Sequence, residues 1–336
     1  MRKSHMNKRN KIAYSKYTIN LNSTFETALR SITSFDVHKI TITNFEGKTG
    51  FGEVVVTPTI TGVTTAELVS DIRKSLIPLL SEADLCDSDE FYSILKKKFP
   101  KNPTVRALGD LALHSLLQEY TRVEVSTDVT IPIIKKELLP TLIPDRIKDG
   151  FKVLKLKLDS ASVLENISKI KIVKSLLPNE TFLRIDPNQS WSVSYTLEFL
   201  DQLQKLGIEI EYLEQPIQRG DFKGLKLVRE GSAVPIMADE SCFDICDLEK
   251  LVEHDAADLV NIKILKVGGI TPARELAKAA MKAQIKVSFG CMIESPLGVR
   301  AAMSLAAEFG PSQTHDLDAA WWYSQSELVY SGGTVK

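Results

Sequence analysis

The sequence has no long apolar run, only four cysteines and no excess of either charge. No stretch reaches the roughly 20 apolar residues of a membrane span or the about 7–15 of a secretory signal. The 42 Lys and Arg residues nearly cancel the 43 Asp and Glu residues, so no net field favours nucleic acid or a membrane surface. The cysteines are too few and too scattered for a disulfide framework. These absences predict a cytoplasmic protein with reduced thiols that binds neither nucleic acid nor membrane.

The remaining composition is that of an ordinary globular protein, with 43% apolar and 25% charged residues. A chain of 336 residues is long enough for one large domain and a smaller one. The first eleven residues, MRKSHMNKRNK, are basic and lead into a stretch in which polar residues interrupt every apolar run. We therefore expect a disordered leader, natural or left by cloning, ahead of the folded part.

The first part of the chain, to about residue 125, reads as strands followed by helices. Residues 37–42 (VHKITI) alternate at period two, and a turn separates them from a second apolar strand at residues 52–56. Residues 65–81 and 107–118 then carry apolar side chains at helical spacing. Strands followed by helices predict a small α+β domain.

From about residue 126 short apolar strands alternate with amphipathic helices. The strands are VTIPII, VLKLKL, FLRID, IEYLE, PIMADE, LVNIKI and KVSFG, with helices predicted over residues 162–177, 193–206 and 271–283. This alternation predicts βαβ units and a parallel sheet, and seven or eight units fit a closed barrel better than an open sheet. No Gly-x-Gly-x-x-Gly follows the first strand, which disfavours a dinucleotide-binding fold.

Charged residues stand where successive strands of the predicted barrel end. They are Lys157, Asp186, Glu214, Asp239 and Lys263, separated by 29, 28, 25 and 24 residues, or about one βα unit each. Active sites of such barrels lie at the carboxyl ends of the strands. The five side chains are therefore expected to converge on one rim.

The three acids of this rim, Asp186, Glu214 and Asp239, would repel one another unless a cation lay between them. Oxygen ligands with room for water suit Mg²⁺, so these three are the predicted metal ligands. The alternative is that each carboxylate only caps the helix that follows its strand.

Lysines flank the predicted metal site. Lys155 and Lys157 lie two apart on one strand and so share a face. We expect them to lower one another's pKa, which would let Lys157 act as a base, with Lys263 on the opposite side of the metal. The alternative is that such long side chains extend from the rim into solvent, as we expect of Lys152 and Lys266.

At these positions the chain resembles the enolase superfamily, in the branch that contains the muconate-lactonizing enzymes. The resemblance rests on FKVLKLKL, LRIDPNQSW, IEYLEQPI, PIMADES and NIKILKVGGI and covers roughly residues 12–331. It implies an α/β fold, a modified (β/α)7β TIM-like barrel (residues 126–319) with an N-terminal α+β capping domain (residues 12–125). Residues from about 320 to 336 would pack back on the cap. It also implies one Mg²⁺ per subunit, a lysine base and an enediolate stabilised by the metal.

Within that branch the chain is most similar to the L-Ala-D/L-Glu epimerases. Asp316 and Asp318 match the Asp-x-Asp motif that holds the α-ammonium group of the dipeptide, and Arg30 matches the arginine of the capping-domain loop that meets the glutamate side chain. The segments PTITG (residues 58–62) and CMIES (residues 291–295) also resemble their counterparts, which makes Glu294 a candidate substrate-binding residue. Asn188 and Glu240 adjoin predicted ligands and are candidates for supporting them.

These substrate contacts also make chemical sense on their own. A guanidinium pairs with a carboxylate through two parallel hydrogen bonds, and two aspartates at i and i+2 can accept several ammonium N–H donors. The alternatives are an ordinary surface arginine at position 30 and a solvated acidic turn at residues 316–318. Three positions depart from the resemblance: Ser115 replaces an aspartate, EYTRVE (residues 119–124) replaces a glycine-rich linker, and the segment after the barrel is short.

The sequence therefore predicts an Mg²⁺-dependent dipeptide epimerase, with Ala-Glu from cell-wall peptide recycling as the implied substrate and a homo-oligomer as an implied assembly. Lys157 and Lys263 would exchange the roles of base and acid, and Lys155 would tune Lys157. The alternatives are an o-succinylbenzoate synthase or cycloisomerase, an N-succinylamino acid racemase, and a binding protein with a vestigial site. Neither the synthase nor the racemase would need an ammonium-binding Asp-x-Asp.

Overall fold

The computed structural model describes residues 9–117 and 123–336. The first part is an antiparallel sheet of three strands, which we call the capping sheet, in the order β1-β2-β3. Five helices follow it. The bounds are β1 Lys11–Thr27, β2 Arg30–Thr43, β3 Thr49–Val55, α1 Pro58–Thr61, α2 Thr65–Asp71, α3 Ile77–Glu82, α4 Ser88–Lys98 and α5 Pro103–Leu117, with a π-helical turn, Ile72–Leu76, between α2 and α3.

The predicted hairpin of the capping sheet is confirmed as β2 and β3, and helix α5 packs directly on it. The alternating side chains His38, Ile40 and Ile42 are buried, and so is Val37 on the other face of β2. The close approach of α5 requires glycine on β3, because a Cβ at Gly52 would lie 2.1 Å from the Leu108 carbonyl oxygen.

Strand β1 was not expected from the sequence. Its seventeen residues are mostly exposed or half-buried, and the period-two signal is confined to two short stretches in which half-buried Ile12 and Tyr14, and then Ile19 and Leu21, alternate with exposed residues. Pairing with β2 holds the strand. The β1–β2 hairpin turns at Ala28-Leu29, so that Arg30 stands at its tip.

The prediction of a disordered leader is wrong for its last residues. Asn10 donates from its backbone N–H to the Ser81 carbonyl at 3.1 Å and from its side chain to the carbonyls of Leu80 and Ala83. Residues 1–8 of the leader lie outside the described part, as do residues 118–122, which hold the last residue of the predicted helix and most of the departing linker.

The predicted barrel is confirmed. Seven parallel strands follow one another in the sheet order β11-β10-β9-β8-β7-β6-β5. The barrel closes because β12 pairs in parallel with β4, and Gly290 at the end of β11 bridges to Asp316. The strands are β4 Val125–Thr127, β5 Val129–Ile131, β6 Val153–Lys157, β7 Phe182–Asp186, β8 Leu213–Glu214, β9 Ile236–Ala238, β10 Leu259–Lys263, β11 Lys286–Gly290 and β12 Thr314–His315.

Helices cover the outside of the barrel, between its strands. The three helices predicted by number are confirmed to within a residue at each end as α7, α8 and α12. The helices are α6 Leu139–Lys148, α7 Val163–Leu176, α8 Val193–Lys205, α9 Phe222–Glu230, α10 Ile245–Glu253, α11 Ile264–Val267, α12 Ile270–Lys282 and α13 Pro296–Phe309.

The chain after the barrel contacts both the capping sheet and the barrel. A 3₁₀ turn, Ala319–Trp322, leads to Tyr323, which bridges to Leu21 of β1. The short strands β13 (Tyr330–Ser331) and β14 (Thr334–Val335) form a hairpin that pairs with β4. The division into a cap of residues 12–125 and a barrel of residues 126–319 stays a prediction.

A buried polar contact joins the capping part to the barrel. Asp110 of α5 accepts hydrogen bonds from the backbone N–H of Thr271 at 3.0 Å and from its hydroxyl at 2.7 Å, and so caps helix α12 from another element. His114 lies 2.9 Å from the same hydroxyl. A Cβ at Gly269, whose φ is +139°, would lie 2.4 Å from the Asp110 carboxylate, so glycine permits this contact.

None of the described helices is long and apolar enough to cross a membrane. The four cysteines are all free, as predicted.

Candidate active site

The structure brings the charged strand ends together at the carboxyl rim of the barrel. Lys157 donates to the Asp186 carboxylate, and Lys263 Nζ lies 2.8 Å from Asp239 Oδ2. Lys155 Nζ lies 2.7 Å from Glu214 Oε2 and 3.5 Å from Asp186 Oδ2. The three acids, which we call the rim carboxylates (Asp186, Glu214 and Asp239), are therefore each ion-paired with a lysine.

The alternative that the rim carboxylates cap the following helices is wrong. Helix α8 is capped by the Ser192 hydroxyl, α9 by the Asp221 carboxylate and α10 by the Asp244 carboxylate. The N-caps lie beyond the strand ends, and the rim carboxylates point into the barrel, where they are at most 3% exposed.

The lysines at the rim are buried. Lys155, Lys157 and Lys263 are all at most 7% exposed, so they do not extend into solvent. Lys152 is exposed, as expected. The prediction for Lys266 is wrong: its ammonium group is fully buried, because it finds three oxygen acceptors inside the barrel.

The expected lowering of the Lys155 pKa is wrong. Burial acts to lower the pKa of Lys155, but the carboxylates of Asp316, Glu214 and Asp186 raise it well above its usual value. Burial and the neighbouring Lys155 act to lower the pKa of Lys263, but the carboxylates of Asp239, Asp316 and Glu214 together raise it well above its usual value. The reason is that each of these two ammonium groups directly contacts carboxylates, Lys155 those of Glu214 and Asp316 and Lys263 that of Asp239.

A cleft opens between the rim and the capping sheet. Eight of the predicted site residues line it, together with residues of the β1–β2 hairpin tip and of the segment after β3. The predicted residues are Lys157, Lys263, Asp239, Asn188, Glu240, Arg30, Asp316 and Asp318, and the others include Phe25, Leu29, Thr57, Ile60, Thr130 and Met292.

Arg30 is a half-buried guanidinium that faces the cleft rather than an ordinary surface arginine. It donates to the Thr57 hydroxyl at 3.4 Å, and no carboxylate among the described residues pairs with it. Burial lowers its pKa to about 10. A buried cation without an anion is suited to an acidic ligand group.

The aspartates of residues 316–318 are buried, so the alternative of a solvated turn is wrong. Asp318 Oδ2 accepts from the Thr130 backbone N–H at 2.7 Å and from Trp322 Nε1 at 3.1 Å. Asp316 Oδ2 accepts from Lys155 at 2.8 Å.

Asp128 lies against the same pair of aspartates. One carboxylate oxygen from each of Asp128, Asp316 and Asp318 lies within 4.8 Å of the others, a geometry that could hold a cation. Asp128 also pairs with Arg184 Nη1 at 2.7 Å. This group differs from the predicted set of rim carboxylates, between which the lysines lie.

Asn188, Glu240 and Glu294 differ from one another in their contacts. Asn188 supports Asp186, since its backbone N–H donates to Oδ1 at 2.8 Å and its side chain to Oδ2 at 3.2 Å. Both carboxylate oxygens of Glu240 are buried without a hydrogen-bond partner among the described residues, and burial, then the neighbouring Asp239, raise its pKa to about 8. Glu294 does not line the cleft; its Oε1 accepts from the Met292 backbone N–H at 3.1 Å.

Two further polar residues hold the site and were missed. Gln215 Oε1 accepts from the backbone N–H groups of Asp239 and Ser241, both at 3.0 Å. Asn261 donates to Glu214 Oε1 at 3.0 Å and to Asp316 Oδ2 at 3.2 Å. The available signals were that Asn261 is two residues before Lys263, on the same face of β10, and that Gln215 follows Glu214 directly.

A closed barrel with acids and lysines at its carboxyl rim, covered by a capping sheet, defines the class of protein. Residues 141–336 match the family described as enolase C-terminal domain-like, which is more than half of the chain. The chain belongs to this family.

Particular relatives extend over nearly the whole chain. The L-Ala-D/L-Glu epimerase of Francisella tularensis subsp. novicida is 30% identical over 92% of this chain and 89% of its own. The substrate-liganded L-Ala-D/L-Glu epimerase from Bacillus subtilis superposes with a TM-score of 0.90 at 28% identity, over 98% of this chain and 96% of that one. The dipeptide epimerase from Enterococcus faecalis V583, solved with Mg and L-Leu-L-Tyr, has a TM-score of 0.88 at 28% identity, over 98% and 97%.

Proposed function

We propose that the protein is an Mg²⁺-dependent dipeptide epimerase that interconverts L-Ala-L-Glu and L-Ala-D-Glu. The observation that carries the proposal is that Lys157 and Lys263 line one cleft from opposite sides of the barrel. Their strands, β6 and β10, have three other strands between them in the sheet. Two amines that face one carbon from opposite sides can remove its proton on one face and return a proton on the other.

The residues of the rim fit a magnesium ion. The rim carboxylates supply only oxygen, the ligand atom that Mg²⁺ prefers. Next to Asp239, Glu240 keeps two buried oxygens without a hydrogen-bond donor among the described residues, so the rim offers oxygen atoms that no donor there satisfies. When bound there, Mg²⁺ supplies a Lewis acid that stabilises negative charge on a substrate carboxylate.

The group of Asp128, Asp316 and Asp318 suits a metal less well. Arg184 holds Asp128, and the Thr130 N–H and Trp322 N–H hold Asp318, through donors that are fixed in place. Each rim carboxylate instead has one oxygen paired with Lys155, Lys157 or Lys263, whose flexible stems can move away from a ligand.

The chain's own groups account for the rest of the reaction. Lys157 takes the α-proton from one configuration of the second residue, and Lys263 delivers a proton to the opposite face; in the reverse direction their roles exchange. Lys155, which contacts two rim carboxylates and Asp316, offsets negative charge beneath them.

The two ends of the cleft support the choice of substrate. Asp316 and Asp318 can accept hydrogen bonds from a free α-ammonium group, and Arg30 can pair with a side-chain carboxylate. A dipeptide with a free N-terminus and an acidic second residue satisfies both, and Ala-Glu is the simplest such substrate that the relatives' names offer.

The test is proton NMR of L-Ala-L-Glu with the protein and Mg²⁺ in D₂O. We expect the glutamate α-proton signal to disappear while the signals of the L,D diastereomer grow. Lys157→Ala should stop epimerisation but leave α-proton exchange in the one epimer that Lys263 serves, and Lys152→Ala, an exposed lysine nearby, is the control. Epimerisation that persists in both directions without Lys157 would refute the assignment of the bases.

The same experiment separates the alternatives. An N-succinylated amino acid has no ammonium group for Asp316 and Asp318, so we expect it to exchange far more slowly than L-Ala-L-Glu. Exchange of the N-succinylated compound alone would favour the racemase, and neither exchange nor epimerisation would favour a synthase, a cycloisomerase or a binding protein. A cytoplasmic location, cell-wall peptide recycling and a homo-oligomeric state stay predictions.

A further inference from the structure

Lys266 is a fully buried lysine for which the proposed reaction has no use. It belongs to the short helix α11, three residues after Lys263, and its exposed fraction is 1%. It does not line the cleft, so it does not touch the substrate. A buried ammonium group is retained only where its hydrogen bonds and charge are satisfied.

All three acceptors of Lys266 belong to the site or to the strand beside it. Its Nζ donates to Asp239 Oδ1 at 2.7 Å, to the Asp239 backbone carbonyl at 2.5 Å and to the Asn261 carbonyl at 2.7 Å. With Gln215 holding the Asp239 N–H from the other side, the backbone of Asp239 and one carboxylate oxygen are fixed. Only Oδ2, which Lys263 contacts at 2.8 Å, faces an amine of the cleft.

We infer that Lys266 is a positioning residue that orients the Asp239 carboxylate, so that Oδ2 is presented to a bound divalent cation. The inference rests on the proposed function, in which Asp239 is a magnesium ligand. Lys266 acts through Asp239 and takes no part in proton transfer.

Because Lys263 and Lys266 both contact the Asp239 carboxylate, the effect of orienting this carboxylate can be separated from the effect of a nearby positive charge. Lys263 and Lys266 carry the same charge and lie 2.8 and 2.7 Å from the two oxygens of Asp239. If charge alone mattered, removing either cation would strengthen Mg²⁺ binding, because a competing positive charge would be lost. If Lys266 positions Asp239, its removal weakens Mg²⁺ binding, whereas removal of Lys263 does not.

The experiment is isothermal titration of Mg²⁺ into the full-length protein and the variants Lys266→Met and Lys263→Met, with exposed Lys282→Met of helix α12 as control. We expect Lys266→Met to raise the Kd for Mg²⁺ about tenfold or more, as loss of a group that orients a ligand does. Lys263→Met should leave the Kd unchanged or lower it, and Lys282→Met should match the unaltered protein. Circular dichroism checks that each variant is folded.

A Kd for Lys266→Met that equals or falls below that of the unaltered protein would overturn the inference while leaving the epimerase proposal intact. Equal weakening in Lys263→Met would also overturn it. If the unaltered protein neither binds Mg²⁺ nor exchanges the substrate α-proton, the proposed function fails first and the inference fails with it. Should Lys266→Met not fold, Lys266→Gln, which keeps an N–H donor without the charge, is judged by the same comparison with Lys263→Met.

Discussion

Single charged side chains, each in a different environment, determine what the cleft of this protein can bind. Lys155, Lys157 and Lys263 are buried because each has a carboxylate partner, whereas Arg30 is half-buried with no such partner among the described residues. A lysine in an ion pair can give up its carboxylate to a metal ion, or can pair with a substrate carboxylate instead. An unpaired guanidinium instead favours a ligand that brings its own negative charge.

We expect Arg30→Met to raise the KM for L-Ala-L-Glu by about 10- to 100-fold with little change in kcat. The lost hydrogen bond to a charged group corresponds to about 1.5–3 kcal/mol. L-Ala-L-Leu, which offers no carboxylate, should react as well as with the unaltered protein or better. Steady-state kinetics with both dipeptides measures the change, and Arg274→Met, a surface ion-pair residue, is the control. An equal rise in KM for both dipeptides would show that Arg30 does not bind the side chain of the second residue.

Glu294 makes stability depend on pH. Burial raises its pKa to about 8 in the folded protein, from 4.5 when exposed. The unfolded chain therefore loses this proton first as pH rises, so the folded state loses stability between about pH 4.5 and 8, at up to about 1.4 kcal/mol per pH unit.

Glu294→Gln should remove this dependence, because the amide can still accept from the Met292 N–H but does not titrate. We expect the variant to be more stable than the unaltered protein at pH 8 and equally stable near pH 4.5. Urea denaturation across this pH range measures it, with exposed Glu249→Gln as control. If the free energy of unfolding changed with pH in the same way in Glu294→Gln and in the unaltered protein, Glu294 would not be the group responsible.

At the scale of elements, the hydrogen bonds between α5 and α12 join the capping part to the barrel. Asp110 satisfies N–H and hydroxyl donors of Thr271 at the start of α12, which follows the short helix α11 after Lys263. The β1–β2 hairpin tip is another part of the cap and lines the cleft. The cap is therefore attached through α5 and covers the substrate through its hairpin.

Asp110→Ala should destabilise the protein by about 1–3 kcal/mol, because it leaves buried donors of Thr271 without an acceptor. Asp110→Asn keeps an acceptor and should cost less. Urea denaturation monitored by circular dichroism measures both, and Asp201→Ala, at an exposed i,i+4 pair on α8, is the control. If Asp110→Ala has no larger effect than Asp201→Ala, the contact does not hold the two parts together.

At the scale of the whole molecule, the barrel collects buried carboxylates from many strands, and a bound cation should stabilise the entire fold. Mg²⁺ at 100 times its Kd should raise the free energy of unfolding by about 2.7 kcal/mol, and EDTA should reverse this. Thermal denaturation with and without Mg²⁺, at matched ionic strength, measures the effect.

Two aspartate variants then identify the carboxylates that bind the ion. Asp239→Asn should abolish the stabilisation by Mg²⁺, and Asp128→Asn, which alters the other acidic group, should keep it. Loss of the effect in Asp128→Asn alone would move the metal to the group of Asp128, Asp316 and Asp318.

Much of the fold and site could be predicted because the signals are local. The strand-and-helix alternation after residue 126 and the charged residue at each strand end needed only periodicity and spacing. Strand β1 was missed, since its side chains alternate in burial only over two short stretches separated by exposed residues, and pairing with β2 holds it. The burial of Lys266 depends on oxygens of Asp239 and Asn261, which only the closed barrel brings to it.

The sequence by itself determined the barrel, the register of acids and lysines along its strands, and the candidate residues for the two ends of a dipeptide. The barrel and its register follow from periods of 2 and 3.6 residues and from one charged residue per βα unit, whereas the resemblance to the epimerases implied the residues for the two ends of the dipeptide. Only the tertiary structure decided which lysine pairs with which carboxylate, that Lys266 donates to Asp239, and that Glu294 does not line the cleft. Such relations join residues far apart in the chain, and their distances are set by the closure of the barrel and the packing of the cap upon it.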